Sequence, residues 1–216
     1  PDGRSDSAPV ALLEAMAERQ ITVGSVTYPL PELFLVMATQ NPIEQEGTYP
    51  LPEAQLDRFL MHVFIGYPDA DAEKRILHLT RQEAREERRE PARPAQAISQ
   101  ADLFSARREV LDIHMADNLE EYLLQLVLAT RQPQAYGNDL AEWLQYGASP
   151  RASMALDRCA RAHAWLAGRD FVAPEDIQTM AHDVLRHRII LSFEAEAEGI
   201  TSDRFIDELI SRIAVP

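Results

Sequence analysis

The apolar positions of this chain change their period twice. A polar start, residues 1–9 (PDGRSDSAP), contains Gly and Pro without periodicity and predicts a poorly ordered terminus. VALLEAMAER then sets Leu12, Leu13, Met16 and Ala17 at helical spacing. ITVGSVTY alternates, with Ile21, Val23, Val26 and Tyr28 on one face and Thr22 and Thr27 on the other. The two-residue Gly24-Ser25 loop, glycine first, predicts a hairpin with a type II′ turn. Residues 33–38 (LFLVMA) and 61–65 (MHVFI) are apolar almost throughout, the pattern of strands buried on both faces of a parallel sheet. A loop and a short helix over about residues 53–58 separate them. This part reads as a strand-helix-strand fragment of an α/β sheet.

From Pro68 and Asp69 onward helical periods take over, which puts a domain boundary near residue 67. Four stripes stand out. The first is Leu119, Leu123, Leu126, Val127 and Thr130, behind a candidate Asp117-x-x-Glu120 cap. Ala152, Leu156, Cys159, His163 and Leu166 form the second, Ile177, Met180, Ala181, Val184 and Leu185 the third, and Phe205, Ile206, Leu209, Ile210 and Ile213 the fourth. The charged run at residues 81–96, which ends in prolines, reads as a solvated helix end and a linker. The expected division is therefore a disordered or aberrant segment over residues 1–10, an α/β part over 11–67 and a helical part over 68–216.

Composition narrows the class of partner. The 216 residues are 46% apolar, enough to fill a core, and carry 35 acidic against 21 basic side chains, a formal net charge of −14. Such a field repels DNA, RNA and anionic membrane surfaces, so neither nucleic acid nor a membrane is expected as partner. One cysteine forms no internal disulfide, and no apolar run or leader-like segment directs the chain into a bilayer. A cytoplasmic protein is expected. Lys74 is the one lysine; every other basic residue is arginine.

Three residues carry candidate chemistry. Asn41 follows the apolar run 33–38, where α/β sheets bind ligands. It either orients a water or phosphate oxygen without adding charge, or simply makes the turn before Pro42. Arg58 ends the short helix and precedes an apolar run; it either pairs with Asp57 at the surface or offers its planar donor fork to a phosphate. Arg151 lies in GASPRAS, where Ser149 suits an N-cap and Pro150 the first helical position. A cation in a first helical turn opposes the helix dipole, so helix stability does not explain it, whereas a bound phosphate does. The histidines offer no metal pair: His182 and His187 are five apart rather than four, and His62, His114 and His163 have apolar surroundings. Cys159 reads as a buried small hydrophobe, and Trp143 and Trp165 as packing residues.

The sequence holds no G-x-x-x-x-G-K-[ST], and no apolar strand in it ends in Asp-Glu. Yet ALLEAMAERQITVGSVTYPLPELFLVMATQNPIEQEGTYPLPEAQLDRFL resembles the MoxR group of AAA+ ATPases in the stretch that follows Walker B, through the presensor-1 hairpin and sensor 1 to the arginine finger. GASPRAS resembles its sensor 2; FVAPEDI, VLRHRIILSFEAEAEGI and ISRIAVP resemble its lid. The resemblance covers roughly residues 11–216. It implies a partial P-loop NTPase core with parallel strands and a presensor-1 hairpin, then a helical lid. It also implies that Asn41 is sensor 1, Arg58 the finger entering a neighbouring subunit's site, and Arg151 the sensor 2 residue that touches the γ-phosphate.

By the same resemblance the intact protein uses ATP and Mg²⁺, forms a homo-oligomer of six, and remodels or matures client complexes in a chaperone-like way with von Willebrand factor A domain partners. The onset at Ala11 implies a truncated or mis-started frame, or a natural fragment. This chain alone is expected to bind no nucleotide tightly and to hydrolyse none, with the helical part carrying most of the autonomous order. Two alternatives remain open: a non-hydrolysing interaction or regulatory module that still offers Arg58 to a complete subunit, and a magnesium-chelatase-type subunit.

Overall fold

The structure is a computed structural model that describes residues 15, 18–41, 52–86 and 98–216. Of the expected first helix over VALLEAMAER only Ala15, Glu18 and Arg19 are described: Ala15 is helical and buried, Glu18 is helical and exposed, and Arg19 lies in a bend after it. Residues 1–10 and most of the charged run's end lie outside them as well.

The hairpin forms as its alternation dictates. β1 (Gln20–Val23) pairs antiparallel with β2 (Val26–Pro29), with Ile21 opposite Tyr28 and Thr22 opposite Thr27. The two threonine hydroxyls meet at 3.2 Å. Gly24 has φ +64°, and Ser25 is not among the described residues of positive φ, which fits a II′ turn and excludes I′.

The parallel strands expected at residues 33–38 and 61–65 do not form. Both runs lack regular secondary structure and belong to no ladder among the described residues, where the sheets are β1–β2 and β3 (Leu144–Tyr146) with β4 (Ile190–Leu191). A ladder needs a neighbour at about 4.8 Å to take its N–H and C=O groups. No described segment occupies that place, and Leu35 and Met37 stay 81% and 82% exposed. The short helix between the runs does form, as α1 (Glu53–Leu56).

Contacts divide the chain into two units, residues 1–62 with 108–216, and residues 63–107. The second holds α2 (Ala70–Glu86) and most of α3 (Gln100–Asp112). Each begins on a side-chain cap: Asp69 accepts from the Ala72 amide at 2.7 Å, and Ser99 and Asp102 exchange bonds. The core lies in the first unit. It draws on α4 (Asp117–Ala129), α5 (Asn138–Trp143), α6 (Pro150–Leu166), α7 (Pro174–Leu185), α8 (Phe193–Ala197) and α9 (Ser202–Arg212). Its buried apolar residues run from Ile113 to Ile213.

The first stripe buries at every position, and the third and fourth bury except for Met180 and Ile210, which are partly buried against the core. The α6 stripe drifts: Leu166 is 77% exposed, while Ala160 and Ala164 are fully buried in its stead. Alanines at these positions complete the buried face, and a stripe of large residues alone does not reveal them. The candidate cap at Asp117 does not form either. Ala116 is the N-cap and donates no side chain; Asp117 sits inside the first turn, where its charge favours the dipole.

Candidate functional site

The residues that could meet a phosphate are placed by backbone features around α6. Thr130, fully buried at the end of α4, donates its hydroxyl to the Val127 carbonyl at 2.7 Å and accepts from the Ala148 amide at 3.0 Å. Arg131 Nε donates to the Ala148 carbonyl at 2.7 Å. Gly147 passes so close to the Thr130 carbonyl that a Cβ would collide with it. This seam fixes the entry to α6. Ser149 then caps the helix, accepting from the Arg151 amide at 3.2 Å, and Pro150 takes the first position, as the sequence predicts.

The Ser149 hydroxyl also donates to the Asp57 carboxylate, at 2.9 and 2.8 Å to its two oxygens. Asp57 thereby becomes the hub of the site. Arg151 Nη1 reaches it at 3.1 Å and Arg188 Nε at 3.1 Å. Burial works against the Asp57 charge, but the hydrogen bonds from Ser149 and Arg151 and the charge of Arg188 outweigh it, holding the carboxyl below its ordinary range. The expected surface pair between Asp57 and Arg58 does not form: Asp57 is spent on the helical part. No hydrogen bond or ion pair among the described residues uses the Arg58 guanidinium.

Arg58 and Arg151 line one concavity of about 400 Å³. Arg19, Arg158 and Arg188 line it as well, and among the described lining residues Asp57 is the one carboxylate. Five of the described lining residues are arginines in a chain of net charge −14, although the Arg188 guanidinium is spent on Asp57 and backbone carbonyls. Arg158 stands seven residues after Arg151 on α6, hence on the same face. Arg19 adopts φ +53°, a left-handed conformation that costs a non-glycine residue about 1 kcal/mol or more. Phe34, Val36 and Met154 supply an apolar wall. Asn41 is exposed and is not among the lining residues. The structure thus brings two of the three sequence candidates together and leaves the third apart.

The donor set suits a polyphosphate anion, which takes planar, permanently charged forks well. It does not suit Mg²⁺: no group of His, Cys, Asp or Glu that could hold a metal exists among the described residues. His187 lies beside the site, where its Nε2 donates to the Phe59 carbonyl at 3.2 Å while its Nδ1 is buried without a partner. Burial, helped by the Arg188 charge, lowers its pKa to about 4, so the ring is neutral near pH 7. Cys159 is buried on α6, and desolvation pushes its thiol up to about 11, as befits a small hydrophobe. No helix among the described residues is long and apolar enough to cross a membrane.

Sequence reasoning missed Asp57 as a hub, and also Arg19, Arg158 and Arg188. The arginines' signal was present in the arginine-for-lysine bias, but spacing alone does not gather residues from four separate segments.

Comparison with known proteins places these features in a family context. The family described as "ATPase family associated with various cellular activities (AAA)" matches residues 4–61, beginning seven residues before the resemblance read from the sequence. The "AAA lid domain" matches residues 139–209. Chaperone MoxR1 of Mycobacterium tuberculosis is 41% identical over 95% of this chain and 53% of its own length. The uncharacterized protein YeaC of Bacillus subtilis is 43% identical over 95% of this chain and 60% of its own. A crystal structure of a protein from Cytophaga hutchinsonii is 44% identical, with a TM-score of 0.84, over 96% of this chain and 62% of that one. The chain thus spans little more than half the length of the relatives it matches.

Proposed function

The chain belongs to the MoxR family of AAA+ ATPases, and we propose on that premise that it reads the phosphates of ATP through guanidiniums. The observation that supports the proposal is the concavity whose described lining residues include Arg58, Arg151 and three further arginines with one carboxylate, Asp57. Arg58 acts as the finger that enters a neighbouring subunit's site. Arg151, in the first turn of α6, acts as sensor 2, and Asn41 as sensor 1. The family in general uses ATP with Mg²⁺ and commonly forms rings. For this protein we propose a ring of six that remodels or matures client complexes in the cytoplasm, in the manner of a chaperone, with von Willebrand factor A domain partners. The finger and sensor 2 come from distant parts of the sequence but belong to one compact unit, residues 1–62 with 108–216.

The test is ATP turnover in a mixture of this chain with the intact M. tuberculosis relative. The chain alone is expected to turn over no ATP. In the mixture it is expected to sustain turnover at the sites its finger enters, and Arg58→Ala to reduce that contribution by a factor of roughly 10³. Turnover indifferent to Arg58→Ala would favour a non-hydrolysing module without a working finger.

A further inference from the structure

We propose that Arg188 is the positioning residue that holds Arg58 in place and couples it to the helical lid; the functional part of this inference rests on the reading of Arg58 as a finger. The Arg188 side chain is only 2% exposed. Its Nη2 donates to the Asp57 carbonyl at 3.0 Å and to the Phe59 carbonyl at 2.5 Å, the backbone groups on either side of Arg58. Its Nη1 donates to the Leu60 carbonyl at 3.3 Å and back to the Val184 carbonyl at 2.5 Å, and its Nε reaches the Asp57 carboxylate at 3.1 Å.

One planar fork therefore fixes the peptide groups flanking residue 58 and ties them to the end of α7. A lysine has three donors around one nitrogen and cannot reproduce this set. Stability alone is a poor reason to bury such a group, because an apolar side chain of similar volume often serves as well or better. What the guanidinium supplies is geometry. Asp57 extends the link to the first turn of α6 through Ser149 and Arg151, so both candidate phosphate contacts share one rigid support. A shift of the lid at either helix end is carried to the backbone that bears Arg58.

The experiment uses the 216-residue chain with Arg188→Lys and, as a second variant, Arg188→Met, whose apolar side chain is expected to leave the fold intact. Residue-resolved amide exchange is read first. Both variants are expected to speed exchange over residues 57–62 by about tenfold or more while the amides of Leu126, Leu156 and Ile177 keep their protection. In the mixture with the intact M. tuberculosis relative, both are expected to lower kcat and leave the KM for ATP unchanged. Unchanged exchange over residues 57–62, or an equal loss of protection in the lid core, overturns the proposal. So does an unchanged kcat where Arg58→Ala lowers it. If Arg58→Ala has no effect on turnover, the finger reading fails by itself, and the exchange data alone decide whether Arg188 holds this segment.

Discussion

The carboxylate of Asp57 and the guanidinium of Arg151 lie 3.1 Å apart across 94 residues of chain. Asp57 immediately precedes Arg58, and Arg151 occupies the first turn of α6, so one ion pair links the backgrounds of both candidate phosphate contacts. The two partners of Asp57 differ sharply in burial: Arg151 is half exposed and Arg188 is 2% exposed.

That difference sets the first prediction. Removing Arg151 breaks a solvent-screened pair and leaves Asp57 with Ser149 and Arg188, so Arg151→Ala is expected to cost under about 1 kcal/mol of stability. Asp57→Ala leaves a buried guanidinium without its counter-charge and is expected to cost about 3 kcal/mol. Urea unfolding of the two variants measures the ratio directly. Equal effects would show that Arg188 does not depend on Asp57.

Acid dependence separates two groups by their windows. His187 has its pKa lowered from 6.5 to about 4, so between those values the unfolded chain takes up a proton that the folded chain refuses. Its contribution is whole above pH 6.5 and is lost as pH falls toward 4. Asp176 lies fully buried at the start of α7; burial opposes its charge, but Arg169 at 2.5 and 2.7 Å, the Ala173 amide and His163 lower its pKa from 3.8 to about 2. That contribution, on the order of 2 kcal/mol, is present above pH 3.8 and lost as pH falls through 2. Unfolding free energies between pH 7 and 4 are expected to flatten in His187→Gln, and Asp176→Asn to weaken the fold at pH 7.

Packing makes an opposite pair of predictions for two leucines. Leu156 on α6 is fully buried and Leu35 in the run 33–38 is 81% exposed. Leu156→Ala is expected to cost about 3 kcal/mol or more through lost burial and a residual cavity, and Leu35→Ala under about 0.5 kcal/mol. Thermal melts of the chain distinguish them.

Gly147→Ala is expected to lower the melting temperature by several degrees, since the added methyl meets the Thr130 carbonyl and the seam that sets α6 must shift. Thr130→Val probes the same seam from the other side, leaving the Ala148 amide without its acceptor. Matching losses in the two variants would identify the seam as one unit.

How much of this was written in the sequence depends on the range of the forces involved. The hairpin was legible because its register and turn are settled by eight consecutive residues, with Gly24 in the one conformation its place demands. The helices were legible for the same reason, and the Ser149-Pro150 start of α6 formed as spacing predicts. The runs at residues 33–38 and 61–65 were not, because apolarity states only that a strand would be buried, and a strand also requires a neighbour. The α6 face was misread at Leu166 because its far end is buried through Ala160 and Ala164, small residues that a stripe of large ones does not reveal. Arg58 and Arg151 were visible as local oddities, a cation at an element boundary and a cation in a first turn. Asp57 and Arg188 were not, because a hub assembled across more than a hundred residues has no local pattern.

The most direct measurement of the central claim is a structure of the chain assembled with the intact M. tuberculosis relative and a non-hydrolysable ATP analogue. The account predicts the Arg58 guanidinium at hydrogen-bonding distance, about 2.7–3.2 Å, from a γ-phosphate oxygen held by the neighbouring subunit. An Arg58 that faces solvent or its own subunit, with the neighbour's phosphate beyond reach of any guanidinium of this chain, would contradict it.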